Sequence, residues 1–380
     1  MTGAPHPLSD EHLLAYVRLA RTPSIGPVTF QRLLGLYKTP QHALDALPEL
    51  AEKGGRAKPL KIHSARAAAD ELYATQDYGG QFLVWGETCY PPALAHIPDA
   101  PMLLSVYGHV GLLQRQKTIS IVGARNASAA ALKITAALSS ELNARDFVIV
   151  SGLARGIDAM AHRHALPQGT IAVLGNGISH QYPQENKDLQ EQIRQAGLLV
   201  CENPPATPPT SRQFPRRNRI ISGLTLGVIV VEAARRSGSL ISARLANEQG
   251  REVMAVPGSP LDTRCHGSNN LIREGASLIE TSQDVLDIMQ PRIEQSLAFD
   301  LQAKANKPLR YPTPLAPPSS LSRAERQTIT ELLGPTPTSI DELVTMSTLP
   351  VDLVHLAVLE LEIAGRLTVE SDGRMSLLNG

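Results

Sequence analysis

Two stretches decide the fold: Thr118-Ile-Ser-Ile-Val-Gly-Ala-Arg125-Asn-Ala-Ser128 and, after a helical interval, Phe147-Val-Ile-Val-Ser-Gly-Leu-Ala-Arg155-Gly-Ile-Asp158. Each is a short apolar run that ends at a glycine-bearing loop and opens into a helix. Working outward, further strand-like runs follow at Ile171–Leu174, Leu198–Cys201, Val228–Val231, Val253–Val256 and Leu278–Ile279. Helical stretches separate them at Ala127–Leu142, Ile157–Leu166, Lys187–Gln195 and Leu240–Gln249. Short strands that are apolar throughout, alternating with helices, require a sheet covered on both faces. The reading is α/β: a Rossmann-like, doubly wound, mostly parallel sheet over residues 81–290. Ligands on such sheets sit outside the carboxyl ends of the strands.

The flanks differ in character. Residues 1–80 read as a small helical domain. His12–Arg21 and Thr29–Tyr37 carry apolar residues at helical spacing on either side of Pro23-Ser-Ile-Gly-Pro27, a helix-hairpin-helix-like pattern. Its glycine serves either a sharp helix–helix turn or an amide contact to phosphate, and Ser24 stands where the DNA-binding version prefers glycine. Pro291–Ser320, with five prolines in Lys307–Ser320, reads as an extended tether. Residues 321–380 form a third, acidic segment.

Formal charge is zero, 36 basic against 36 acidic residues, but it is unevenly placed. Gly111–Gln290 holds 19 Lys/Arg and 15 Asp/Glu, whereas Leu321–Gly380 holds 4 and 9, so the two segments have different electrostatic roles. No apolar run approaches the roughly 20 residues that span a bilayer, and Met1–Asp10 lacks a secretory pattern; no membrane association is expected. Three distant cysteines without a CxxC pair disfavour disulfides and zinc knuckles and suit a reducing cytoplasm.

The strand-end loops carry the chemistry. Gly123 lets the backbone approach an anion, and Asn126 or Ser128 can cap the following helix. The loop is not GxGxxG, and no acidic residue closes the next strand, which argues against NAD or FAD; no cofactor is expected. Arg125 and Arg155 converge on one cleft, unless each pairs with a carboxylate such as Asp158, whose own role reads as structural. Tyr182 offers a stacking face or a packing anchor. Glu232 is placed to be a base or to orient a cleft arginine. Ser237-Gly238-Ser239 opens a helix and forms an anion site. His162 and His164 point to different helix faces and cannot share a metal.

The most informative run is Ser211-Arg-Gln-Phe-Pro-Arg-Arg-Asn-Arg-Ile-Ile-Ser-Gly223. Arg212, Arg216, Arg217 and Arg219 fall together without a carboxylate among them, with Phe214 and Asn218 interleaved. Such a run is either a solvated surface or a set of cationic forks for phosphate beside an aromatic plane for a base. The position at a strand end favours nucleic acid.

Gly123-Ala-Arg125, Ser151–Asp158, Phe214–Ser222, Arg236–Ser239 and Pro257-Gly-Ser259, in this order, resemble the DNA-processing protein A family (DprA/Smf) over about Thr88–Met289. The flanks are similar to the family's N-terminal sterile-alpha-motif-like and C-terminal winged-helix-like domains. The resemblance implies a cytoplasmic, non-enzymatic homodimer of natural transformation. Such a protein binds and protects incoming single-stranded DNA, helps load the recombinase RecA and displaces single-strand-binding protein. It implies DNA contacts at Arg125, Ser151, Gly152, Arg155, Phe214, Arg216, Arg217, Asn218 and Arg219, with Lys187 as a further basic candidate. Five surplus acidic residues in the C-terminal segment would repel phosphate, so that domain is expected to make protein contacts or be dispensable for DNA affinity. The competing reading is a LOG-like nucleotide phosphoribohydrolase on the same sheet. Its PGGxGTxxE loop would correspond to Ala234–Ala243, which lacks the paired glycines and the catalytic glutamate.

Overall fold

The computed structural model describes residues 10–305, 321–369 and 373–378. The chain forms two compact units, one of Glu71–Pro308 and the other of Met1–Asp70 together with Leu309–Gly380.

The second unit begins with α1 (Asp10–Arg21), α2 (Pro27–Tyr37), α3 (Pro40–Lys53) and the start of α4 (Ala65–Asp77). The turn between α1 and α2 differs from its expected form. Gly26 is extended (φ −88°) and caps α2 ahead of Pro27, while Ser24 takes the left-handed conformation at φ 72°. The residue that bears the backbone cost is therefore the serine, on the order of 1–2 kcal/mol for a non-glycine side chain.

The core unit starts with a hairpin, β1 (Gly80–Val84) and β2 (Leu103–Gly108), interrupted by the short α5 (Pro92–Ala95). Then come β3 (Thr118–Val122), α6 (Ala129–Asn143), β4 (Val148–Ser151), α7 (Ile157–Ala165), β5 (Thr170–Leu174), α8 (Lys187–Ala196) and β6 (Leu198–Cys201). α9 (Gln213–Gly223), β7 (Gly227–Val230), α10 (Gly238–Glu248), β8 (Glu252–Ala255), α11 (His266–Arg273), β9 (Ser277–Leu278) and α12 (Ser282–Ala305) complete it. Strand order is β1-β2-β6-β5-β4-β3-β7-β8-β9. The seven strands from β3 to β9 are parallel, and β1 and β2 run antiparallel on the β6 edge.

Alternate residues of each strand feed two cores. Val122, Val148 and Val150 pack with Leu94, Ile220, Ile221 and Ala243 of α5, α9 and α10. Ile119, Ile121 and Ile149 pack on the opposite face with Leu138, Leu142, Ile157 and Ala161 of α6 and α7. The same face explains α12. Val285, Met289 and Ile293 are buried there, so the helix runs on through Pro291, losing one internal hydrogen bond while retaining its apolar contacts. The tether expected from Pro291 is therefore helix up to Ala305, and the rest of that expected segment, residues 306–320, lies outside the described residues. β3 and β7 are neighbours although three strands and four helices lie between their positions in the chain order, which places the topological switch point between their ends.

The C-terminal part of the other unit contains α13 (Arg323–Leu332), α14 (Ile340–Ser347), α15 (Val351–Ile363), β10 (Leu367–Val369) and β11 (Met375–Leu377), three helices and a two-stranded wing. Ser322/Glu325 and Ser339/Glu342 form reciprocal capping boxes on α13 and α14. Rather than standing as a separate module, this domain packs on the N-terminal helices. Among the described residues, no single helix is long and apolar enough to cross a membrane.

Candidate nucleic-acid interface

A cleft of about 740 Å³ opens at the switch point. One wall is the loop after β3, with Gly123, Arg125 and Asn126; the other is the loop after β7 and the start of α10, with Arg236, Ser237, Gly238 and Ser239. Residues from the start of α9 form the floor, and a second depression of about 450 Å³ continues past Gly152 and Arg155.

At the centre is an aromatic-cationic stack. Tyr182 and Phe214 lie with ring centroids 5.3 Å apart at 28°, and the Arg125 guanidinium sits 5.7 Å from the Phe214 centroid. Both rings are partly solvent-accessible, Tyr182 at 40%. Among the described residues Arg125 and Arg236 have no carboxylate partner, so their charge is available to an anion. A planar cation over a ring face is favourable and leaves its outward N–H groups free to donate. Ser237 caps α10, its hydroxyl 2.6 Å from that of Ser239, and Asn218 donates to the Gly238 carbonyl (3.3 Å), fastening α9 to the start of α10.

The arginine run divides into three different environments, contrary to its reading as uncompensated charge. Arg219 is buried, with Nε 2.9 Å from Asp99 and the other nitrogens 2.8 and 3.1 Å from Glu202. Burial opposes its charge, but these two carboxylates hold its pKa above the ordinary value. Arg216 is exposed yet shares Glu202 at 3.0 Å. Arg217 is also buried: Nη1 donates to the Gly152 carbonyl at 2.6 Å and to that of Val173, and Nε donates to Asn218 at 3.2 Å. Burial pushes its pKa down to about 10, with the charge of Asp158 opposing that shift. Arg212, at the start of α9, is exposed and lies outside the cleft lining. The carboxylates that neutralise Arg216 and Arg219 come from the residue after β6, Glu202, and from the loop before β2, Asp99; neither belongs to the run itself.

Gly152 shows why the Arg217 arrangement needs a glycine. A Cβ there would lie 2.4 Å from Arg217 Nη1. Asp158 is buried beneath, accepting from the backbone amides of Gly152 (3.2 Å) and Ala154 (3.3 Å); burial raises its pKa, and Arg217 and those amides oppose the rise. Its role is structural, as its sequence position implied.

Other expected contacts are displaced. Ser151 is fully buried and donates to the Ile121 carbonyl at 2.7 Å, because the last residue of β4 points into the sheet. Arg155 lies at the cleft's extension but is ion-paired with Glu185. Lys187 falls in a separate depression with Asp77, Tyr78 and Arg194, because the helical turn Gln184–Asn186 carries the chain away before α8 begins. Glu232 is buried and accepts from the Ser128 hydroxyl (2.6 Å) and amide (3.2 Å), holding the residue that caps α6; Arg264 lies 3.7 Å from it and is itself bonded to Asp262 at 2.7 Å. Tyr182 joins the stack, one of the two roles its sequence left open. Arg236 and Arg264 were missed as lining residues; the RSGS motif was the available signal for Arg236. Among the described residues no group of His, Cys, Asp and Glu is arranged to hold a metal, and all three cysteines are free.

The profile of the family DNA recombination-mediator protein A matches residues 81–290, which is more than half of the chain. The chain belongs to the DprA/Smf family. The flanks match the DprA-like N-terminal HHH domain over residues 10–74 and the DprA winged helix domain over residues 312–373. The DNA processing protein DprA of Streptococcus pneumoniae is 47% identical over 244 residues, 63% of this chain and 86% of that protein. Protein Smf of Synechocystis is 33% identical over 373 residues, 91% of this chain and 94% of its own. Among solved structures, S. pneumoniae DprA superposes with a TM-score of 0.59 at 33% identity, covering 72% of this chain and 95% of that one. DNA processing protein A from Helicobacter pylori, whose structure was described for its single-stranded DNA binding mode, gives 0.52 at 30% identity, covering 56% and 97%.

Proposed function

We propose that this chain binds single-stranded DNA in the cleft between the β3 and β7 ends and acts as a DNA-processing protein in natural transformation and recombination. The observation that carries the reading is the Tyr182–Phe214–Arg125 stack flanked by Arg236 and by the capped start of α10. Aromatic faces accept any unpaired base, while guanidinium groups hold the phosphates between. The contact set is narrower than the sequence run: Arg125, Arg236, Phe214, Tyr182 and Ser237–Ser239 meet the strand, with Asn218, Arg217 and Gly152 shaping the floor. The described single-strand binding of the H. pylori relative supports the same assignment.

The reading includes no catalysis. The buried acid that lines the cleft, Asp158, is engaged by backbone amides, and Glu232, outside the lining, is engaged by Ser128, which weighs against the phosphoribohydrolase alternative. It includes, by family membership, a cytoplasmic homodimer that loads RecA onto strands coated with single-strand-binding protein. Fluorescence anisotropy with oligo-dT and with its duplex across a salt series tests the binding reading. Preference for the single strand with a steep salt slope is expected; equal affinity for the duplex would reject it. RecA filament growth on coated strands, with and without the protein, tests the loading role.

A further inference from the structure

In helix-turn-helix proteins the recognition helix lies in the major groove and presents polar and basic side chains to it. Here the corresponding helix, α15, has the sequence Val351-Asp-Leu-Val-His-Leu-Ala-Val-Leu-Glu-Leu-Glu-Ile363, without a single Lys or Arg. Nine of its thirteen residues are buried, and only Val351 is fully exposed. Its far end is engaged by the N-terminal helices. Glu362 accepts from the Thr29 hydroxyl at 2.6 Å and lies 3.7 Å from Arg32 of α2. Arg56 donates to the carbonyls of Ile363 (3.2 Å) and Ala364 (3.3 Å), the last acceptors of the helix, and Arg366 donates back to the Gly54 carbonyl at 3.3 Å. The fit at Gly54 is tight: a Cβ there would lie 2.0 Å from the Glu360 carbonyl oxygen. A cationic side chain on the C-terminal carbonyls of a helix is a favourable cap.

We propose that the winged-helix domain of this chain is an intramolecular partner: α15 docks on α2 and α3 through the Thr29–Arg32–Glu362 and Arg56 contacts instead of reading duplex DNA. The acidic charge of the domain agrees with this assignment, since each lost cation removes a phosphate contact and each added carboxylate repels one.

Gly54 gives the test, because its own backbone (φ −71°, ψ −4°) accepts a side chain without strain; only the docked helix forbids one. In the full-length chain, Arg32→Lys supplies an amine that a zero-length carbodiimide can couple to the Glu362 carboxylate. A linked peptide pair in a species of single-chain mass is expected, and adding Gly54→Leu should reduce its yield at least tenfold while far-UV circular dichroism stays unchanged. Should the leucine variant lose its helical signal, Gly54→Ala replaces it. The assignment is overturned if the linkage is absent, if it forms only in species of doubled mass, or if it survives Gly54 substitution in a folded chain. Loss of the linkage on adding a 20-base-pair duplex would overturn it equally.

Discussion

Arg217 offers a test that tells a clamp inside the sheet from the DNA contacts we propose. Its guanidinium joins the carbonyl ends of β4 and β5 and faces the buried Asp158, with 6% of the residue exposed. Arg217→Ala leaves two carbonyls without a donor and removes the cation whose field favours that carboxylate. Each lost hydrogen bond to a charged group costs about 1.5–3 kcal/mol, so the two together cost about 3–6 kcal/mol. For a unit the size of Glu71–Pro308, a loss of that size lowers Tm by on the order of 10 °C. Arg217→Lys keeps the charge, but one ammonium cannot reproduce the planar fork across two strand ends, so it should recover less than half of the loss. Differential scanning calorimetry measures the stability, and oligo-dT anisotropy on protein kept well below its Tm measures the salt slope. The expected pattern is a large fall in Tm with the slope of log K against log salt unchanged. A variant of wild-type Tm whose slope is flattened by about 0.7, the signature of one lost phosphate contact, would refute the clamp.

The complementary change, Arg125→Ala, should flatten that slope by about 0.7 with Tm moved by less than a few degrees, which the same two instruments check. Phe214→Ala and Tyr182→Ala should each weaken oligo-dT binding by about 1–3 kcal/mol if a base stacks on the pair, with the salt slope retained; an unchanged Kd in both would remove bases from the stack. His162 is fully buried beside Thr170, and burial, reinforced by Arg217, pushes its pKa down to about 3. The unfolded chain takes up that proton near pH 6.5 and the folded one only near 3. Stability from this group is therefore complete above pH 6.5 and falls by about 1.4 kcal/mol per unit as pH drops through that window. Denaturant titrations of the wild type and His162→Gln at pH 7 and pH 5 should show the smaller pH dependence in the variant.

The parallel sheet was legible because strands buried on both faces are apolar without alternation, a pattern that Ile119–Val122 and Val228–Val231 display openly. The antiparallel hairpin β1–β2 was not, since β1 is mixed in burial and α5 interrupts the pair. Pro291 misled for a related reason: proline marks a helix end only when nothing else holds the helix, and the buried Val285–Met289–Ile293 stripe holds it here. Strand-end position pointed to the loops of Arg125 and Ser237–Ser239, and these residues line the cleft together with Phe214 of α9. The division of Arg216, Arg217 and Arg219 was not legible, because charge compensation depends on Glu202 and Asp99, which lie outside the run and are brought to it by the fold. Counting carboxylates within a run says nothing about those the fold brings to it.

The contacts between Thr29 and Glu362 and between Arg56 and Ala364 span more than three hundred residues of chain, with the whole sheet threaded between their ends. A ribosome delivers α2 and α3 long before α15. The sheet can therefore finish folding while those helices still lack the cover that Glu362 and Ala364 provide. A chain cut just before Glu360 would keep every strand of the sheet but leave Thr29 and Arg56 without their acceptors on the last helix.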